Sequence, residues 1–195
     1  VGSHPMAGSH LRGPDHARVD LFEGATCVVT PRAGQDERGV LRVEAFWRAL
    51  GTRVKRRSSE AHDEEVAWVS HLPHLLAFAF ADALRAAPTQ IGEVAGGGFR
   101  DFTRIARSDA ELWSEILDLN GKALSGPLNR FSESLASLAR LLEEGDVESL
   151  EKFLNEARER LAEVASHAAR AAGHVPGSQS PKVSEAGDRE KTDPA

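Results

Sequence analysis

Apolar and polar positions follow two different rhythms along these 195 residues. In the first third, Thr26-Cys27-Val28-Val29-Thr30 is a short β-branched run stopped by Pro31, the composition of a buried parallel strand. Residues 36–50 then carry Val40, Val43, Trp47 and Leu50 near helical spacing, with Gly51 where a helix C′ glycine belongs. Residues 52–55 return to strand. Strand, helix, strand is a βαβ unit, and such units occur inside larger parallel sheets whose two faces are both covered. Residues 1–57 are therefore predicted to be the tail of a doubly wound α/β domain.

From Ser58 the rhythm becomes helical. Ser59 is predicted to cap a helix whose first turn holds Glu60, Asp63 and Glu64, carboxylates well placed against the N-terminal dipole. Val66, Val69, Leu72, Leu76 and Phe80 carry it to about Arg85, apolar on much of its circumference. This predicts a buried central helix, bent by Pro73. Ser108-Asp109-Ala110-Glu111 reads as a capping box that starts a further helix.

Two long apolar stripes follow. Leu124, Leu128, Phe131, Leu135, Leu138 and Leu142 form the first, and Leu150, Leu154, Ala157, Leu161 and Val164 the second. Gly145-Asp146 ends one helix and caps the next, giving an antiparallel helical hairpin. Such stripes suit a bundle, a dimer interface or burial within one subunit. From Gly173 almost nothing is apolar, so the end of the chain cannot repay its ordering entropy and is predicted to be disordered. The expected division is 1–57, 58–167 and a tail, 168–195.

A hydrophobic content of 41% supports one or two modest cores. The net charge of −6 argues against nucleic acid as a partner, which would require a basic face. Arg53, Lys55, Arg56 and Arg57 are too few to reverse that and read as a solvated strand end. Cys27 is the single cysteine, so no disulfide framework is available and a reducing, cytoplasmic setting is the default. No apolar run approaches the roughly 18 residues of a membrane span, which leaves no membrane partner. The opening Gly2-Ser3-His4-Pro5-Met6-Ala7-Gly8-Ser9 has no initiator Met before so specialised a segment. The chain is therefore expected to be the carboxyl-terminal part of a longer protein.

Polar or unusual residues concentrate in four places: residues 4–9; His62 with Ser70, His71 and His74; Gly96-Gly97-Gly98; and residues 101–104. Each has a plain alternative. His4-Pro5-Met6-Ala7-Gly8 suits an ordinary strand end. His71 and His74, three apart, suit a helix surface or a capped core. No His-Glu-x-x-His pattern or cysteine cluster supports a metal. The triple glycine lacks the strand before it and the Lys-Ser/Thr after it that a P-loop needs, and reads instead as backbone approaching a ligand or another segment. Arg104 with Asp101 suits a surface ion pair.

Taken together, these segments say more. His4-Pro-Met-Ala-Gly-Ser9, Leu21-Phe-Glu-Gly24, Thr30-Pro31, Ser70-His-Leu-Pro-His74 and Gly96-Gly-Gly-Phe-Arg-Asp-Phe-Thr-Arg104-Ile-Ala-Arg-Ser-Asp109 resemble the prephenate dehydrogenases and their arogenate-using relatives. The resemblance runs from residue 1 to about 120. It implies an α/β remnant of a Rossmann-like dinucleotide-binding domain followed by an all-α helical dimerisation domain, hence a homodimer. It also implies oxidative decarboxylation of prephenate with hydride transfer to NAD or NADP.

Carried over on matching positions, the resemblance makes His4 the catalytic histidine, accepting a hydrogen bond from the substrate ring hydroxyl. It makes Arg104 the partner of a substrate carboxylate, and Ser9, His62, His74, Gly97 and Trp113 further substrate-binding residues. Position 10, acidic in some members, is His10. A histidine offers the arogenate ammonium no fixed negative charge, so prephenate is expected over arogenate. Tyrosine is an expected inhibitor, since family members often bind it in the same pocket. No Gly-x-Gly-x-x-Gly occurs, so the pyrophosphate cradle is absent and the isolated chain is expected to be inactive. A non-catalytic dimerisation or tyrosine-sensing role is the alternative.

Overall fold

The computed structural model describes residues 1–8 and 13–171, which places Ser9 and His10 outside the described residues. The chain divides into two compact units, Val1–Glu144 and Gly145–Ala195.

The first unit opens with a three-stranded sheet in the order β1 (Gly2–Pro5), β2 (Thr26–Thr30), β3 (Arg53–Arg56). Strands β2 and β3 are parallel and joined through helix α1 (Glu37–Ala49), as the βαβ reading required. Asp36 caps α1 by accepting from the backbone N–H groups of Arg38 and Gly39. Gly51, at φ +83°, turns the chain back into the sheet. Alternation along β2 buries both faces. Cys27 and Val29 pack with Val40, Trp47 and Val54, while the intervening Val28 is 7% exposed. Burial raises the Cys27 thiol above its usual pKa, so it behaves as a small apolar core residue.

Strand β1 departs from the parallel pattern. It runs antiparallel to β2, placing His4 opposite Val28, and the ladder is extended by Met6 N–H donating to the Thr26 carbonyl. Without a β-branched run of its own, β1 is held by this backbone pairing. The basic stretch is a solvated strand end, with Arg53, Arg56 and Arg57 exposed, and two of these arginines are also paired. Arg56 pairs with Glu37 and with Glu44, which is only 4% exposed, and Arg57 pairs with Glu65. These ion pairs tie β3 to α1 and to the helix that follows.

That helix begins one residue earlier than expected. Ser58, not Ser59, is the cap, its hydroxyl accepting from the Ala61 N–H, and α2 spans Ser59–Val66. The predicted continuous helix is interrupted by a π turn, Ala67–His71, before α3, Leu72–Ala83. Pro73 has no N–H to give to the preceding turn, and the wider π turn absorbs that defect. Burial is one-sided: Val66, Ala67, Leu72 and Ala77 are buried, whereas Trp68 is 51% and Val69 66% exposed.

A short helix α4, Gly97–Thr103, leads through a 3₁₀ turn to α5, Ala110–Leu119. Here too the cap is shifted by one: Asp109 accepts from the Leu112 N–H, the side-chain role the capping-box reading gave to Ser108. Helix α6, Gly121–Glu144, buries Leu124 against Ala67 and Leu72, with Leu75, Leu76, Leu117 and Leu128 around them. Further along its stripe, Leu135 and Leu142 are exposed.

The second unit contains α7, Val147–Ala171, introduced by Gly145 at φ +67° and by Asp146, which accepts from the Ser149 N–H. Residues 168–171, assigned to the predicted tail, are helical, and the rest of that tail lies outside the described residues. Leu154, Leu161 and Val164 of its stripe are exposed. Among the described residues, no helix is long and apolar enough to cross a membrane.

Candidate active site

The site is assembled by β1, α2, the π turn, α3 and α5, all within the first unit. A cavity of about 830 Å³ is lined by His4, Ser70, His71, His74, Arg104 and Trp113, with Met6, Ile105, Leu112 and Ile116 as apolar wall. That volume suits a small-molecule ligand.

Hydrogen bonds fix the tautomers of its neutral histidines. His62 Nδ1 lies 2.9 Å from Asp63 Oδ1. A carboxylate only accepts, so Nδ1 carries the proton. In neutral His62 the Nε2 atom is then an acceptor, and it lies 2.8 Å from His4 Nδ1. His4 must donate there, which leaves its Nε2 with a bare lone pair. This Nε2 has no partner among the described residues, and no buried side-chain nitrogen or oxygen among them lacks one, so the atom is not buried. Burial, and then the neighbouring His62, lower the His4 pKa, favouring the neutral ring.

His74 is fixed differently. Its Nδ1–H donates to the Ser70 carbonyl at 2.9 Å, within the turn that Pro73 disturbs. Its ring stacks on Trp113 with centroids 3.6 Å apart and planes 16° from parallel. His71, 8% exposed, meets the edge of the same indole. Its pKa is lowered chiefly by burial, then by His4, His62 and His74, with Asp63 opposing. Arg104 opens the 3₁₀ turn Arg104–Arg107 and makes no ion pair among the described residues, with Asp101 or any other carboxylate. It lines the cavity, and among the described residues no carboxylate neutralises its guanidinium.

The structure thus brings together His4, His62, His74, Arg104 and Trp113. Gly97 stands in the first turn of α4, outside the cavity lining. The triple glycine is not explained by another segment passing close: no non-neighbouring atom among the described residues comes within 4 Å of a Cβ built at Gly96, Gly97 or Gly98. Three contributors escaped the sequence reading. Asp63 was read only as a dipole partner, His71 as one of two isolated helical histidines, and Asn120 not at all. The Asn120-Gly121 pair at a helix corner was the one available signal for the last.

The lowered pKa values of His4 and His71 have a consequence for stability. The unfolded chain takes up these protons near the ordinary histidine value of about 6.5, the folded chain only at lower pH. The unfolded state therefore binds more protons in that window, and stability falls as pH drops through it. Denaturant midpoints are expected to decrease from pH 8 to pH 5.5, and to do so less in a His4→Asn/His71→Asn double variant. Equal slopes in the two proteins would exclude these histidines as the cause.

The chain matches the family model described as "Prephenate dehydrogenase, nucleotide-binding domain" over residues 1–56, and the one described as "Prephenate dehydrogenase, dimerization domain" over residues 58–156. It is 33% identical over 173 residues to a cyclohexadienyl dehydrogenase of Zymomonas mobilis, covering 86% of this chain and 59% of that protein. It is 32% identical over 165 residues to the prephenate dehydrogenase of Bacillus subtilis, covering 82% and 44%. The crystal structure of A. aeolicus prephenate dehydrogenase with hydroxyphenyl propionate and NAD+ superimposes with a TM-score of 0.77 at 34% identity, covering 84% of this chain and 58% of that one. The chain spans about half the length of the curated relatives it matches. Fold and comparisons define part of a Rossmann-like nucleotide-binding domain followed by a helical dimerisation domain. The chain belongs to the prephenate dehydrogenase family.

Proposed function

We propose that this chain supplies the substrate side of a prephenate dehydrogenase. The observation that carries the reading is the Asp63–His62–His4 chain, which leaves His4 Nε2 as an acceptor in a cavity also lined by Arg104, both without a partner among the described residues. Prephenate has a ring hydroxyl and two carboxylates. Arg104 holds one carboxylate through paired N–H donors. His4 Nε2 accepts from the hydroxyl and increases electron density on its oxygen as hydride leaves the same carbon. The carbon–carboxylate bond breaks, its electron pair completes the aromatic ring, carbon dioxide departs and the proton stays with the phenol oxygen.

A nicotinamide dinucleotide, NAD or NADP, supplies the hydride acceptor when bound. The residues here do not form its pyrophosphate cradle: the turn from β2 to α1 reads Pro31-Arg-Ala-Gly-Gln-Asp36, without the glycine pattern. All roles assigned here therefore concern the substrate. The exposed apolar residues Trp68, Val69, Leu135 and Leu142 support a homodimer built through the helices. Tyrosine, which shares a para-substituted ring and a carboxylate with the product, fits the same cavity as an inhibitor.

The test uses the natural protein that carries this sequence. Prephenate with NAD+ or NADP+ should give 4-hydroxyphenylpyruvate, carbon dioxide and reduced cofactor in equal amounts, and faster than arogenate does. Turnover of neither substrate would overturn the reading, and a preference for arogenate would overturn its substrate.

A further inference from the structure

Asn120 closes α5 and its carbonyl opens α6, accepting from the Leu124 N–H, while its own N–H is bonded to Ile116 and Asp118 carbonyls. Its backbone is therefore fixed at both ends. From this corner the side chain reaches residues 57 and 49 positions away. Nδ2 donates to the Asp63 carbonyl at 2.9 Å and lies 2.9 Å from His71 Nδ1. A backbone carbonyl only accepts, so the amide nitrogen, not its oxygen, must face this side. The second amide hydrogen is then aimed at His71 Nδ1, which must be unprotonated. The proton of neutral His71 is left on Nε2.

We propose that Asn120 is a positioning residue that fixes His71 as its neutral Nε2–H tautomer, so that the cavity meets a hydrogen-bond donor at this ring. Among the described residues Nε2 of His71 has no partner, and no unpartnered polar side-chain atom among them is buried. It therefore opens onto the cavity that its ring lines. Protonation of Nδ1 would set an N–H against the Asn120 amide. Turning the amide over would instead set its oxygen against the Asp63 carbonyl. Both alternatives are unfavourable, in keeping with the lowered His71 pKa. The groups around the ring are His4 from β1, His62 and Asp63 from α2, His74 from α3, Trp113 from α5 and Arg104 across the cavity.

The consequence is a division of labour among like residues. His4 presents an acceptor and His71 a donor, so the site matches a ligand that offers a hydroxyl hydrogen in one place and an anionic oxygen in another. The same amide holds the backbone of Asp63, whose carboxylate orients His62. One side chain thus supports both histidine arrangements. This assignment deepens the prephenate reading and rests on it for the identity of the ligand, but not for the tautomer.

Nitrogen-15 spectra of the 195-residue chain test the tautomer without substrate, with His71 signals assigned by their loss in His71→Gln. In the unsubstituted chain, His71 Nδ1 should show the shift of an unprotonated ring nitrogen and Nε2 that of a protonated one. In Asn120→Asp the carboxylate accepts, so the proton should move to Nδ1 or the ring become doubly protonated near neutral pH. Asn120→Ser, which keeps a small donor, should retain the original pattern and guards against a merely unfolded Asp variant. An Nδ1–H tautomer in the unsubstituted chain, or an unchanged pattern in a folded Asn120→Asp protein, would overturn the proposal. Prephenate titration then separates the two readings. Binding weakened on the order of 10-fold in Asn120→Asp supports both. Equal binding in the two proteins overturns the positioning role alone, and no binding in the unsubstituted chain counts against the substrate alone.

Discussion

Replacing His4 with Asn in the natural protein should lower kcat for prephenate by roughly 10²- to 10⁴-fold, the usual worth of a positioned proton acceptor. Asparagine can still touch the ring hydroxyl, but its amide has no lone pair basic enough to share the proton as hydride leaves. KM should move little, because the carboxylate contacts survive. The pH dependence separates this from a packing defect. The native rate should fall as pH drops and His4 takes up a proton on Nε2, below the ordinary histidine range because burial and His62 lower its pKa. That limb should be absent from the residual activity of the variant. A His4→Asn protein with unchanged kcat would remove His4 from the chemistry altogether.

Arg104→Gln should act on binding. A charge-assisted, bidentate contact to a carboxylate is worth more than a neutral hydrogen bond, and its loss should raise KM on the order of 10- to 100-fold. Arg104 is exposed, so water softens the loss and the lower part of that range is expected. Arg104→Lys should recover part of the affinity through charge alone, without the planar fork. If both variants bound prephenate as the native protein does, the carboxylate would have to be held elsewhere.

Both substitutions fall on the part of the site that the sequence makes legible. His4 and Arg104 stand in distinctive local segments that motif likeness singles out, and both line the cavity. The strand–helix–strand unit is equally legible, because β2 is a β-branched run and α1 has a clean apolar period between Asp36 and Gly51. Caps were displaced by one residue twice because adjacent Ser58-Ser59 and Ser108-Asp109 are nearly equivalent as acceptors. The antiparallel pairing of β1 was hidden, since it depends on backbone groups that any residue carries.

The gathering of His62, His71 and His74 was hidden for a geometric reason. His62 and His71 are nine residues apart, about two and a half turns of a straight α-helix, which would set them on opposite sides. The π turn Ala67–His71 lies between them and changes that angle. No composition rule announces a π turn, so counting along the sequence separates residues that the fold brings around one cavity. Asn120 was hidden because its partners are 57 and 49 positions away.

The π turn also determines which changes this region tolerates. Two of its side chains, Trp68 and Val69, are exposed and loosely held, whereas Ala67 and His71 are buried. Its residue count is a stricter matter. Removing one residue between Ala67 and His71 would let the backbone relax into an unbroken α-helix and rotate α2 by about 100° against α3. His62 and Asp63 would swing away from His4 although His4, His62 and Asp63 all remained present. In this stretch, insertions and deletions are far more damaging than substitutions, and the length of the helix is itself part of the active site.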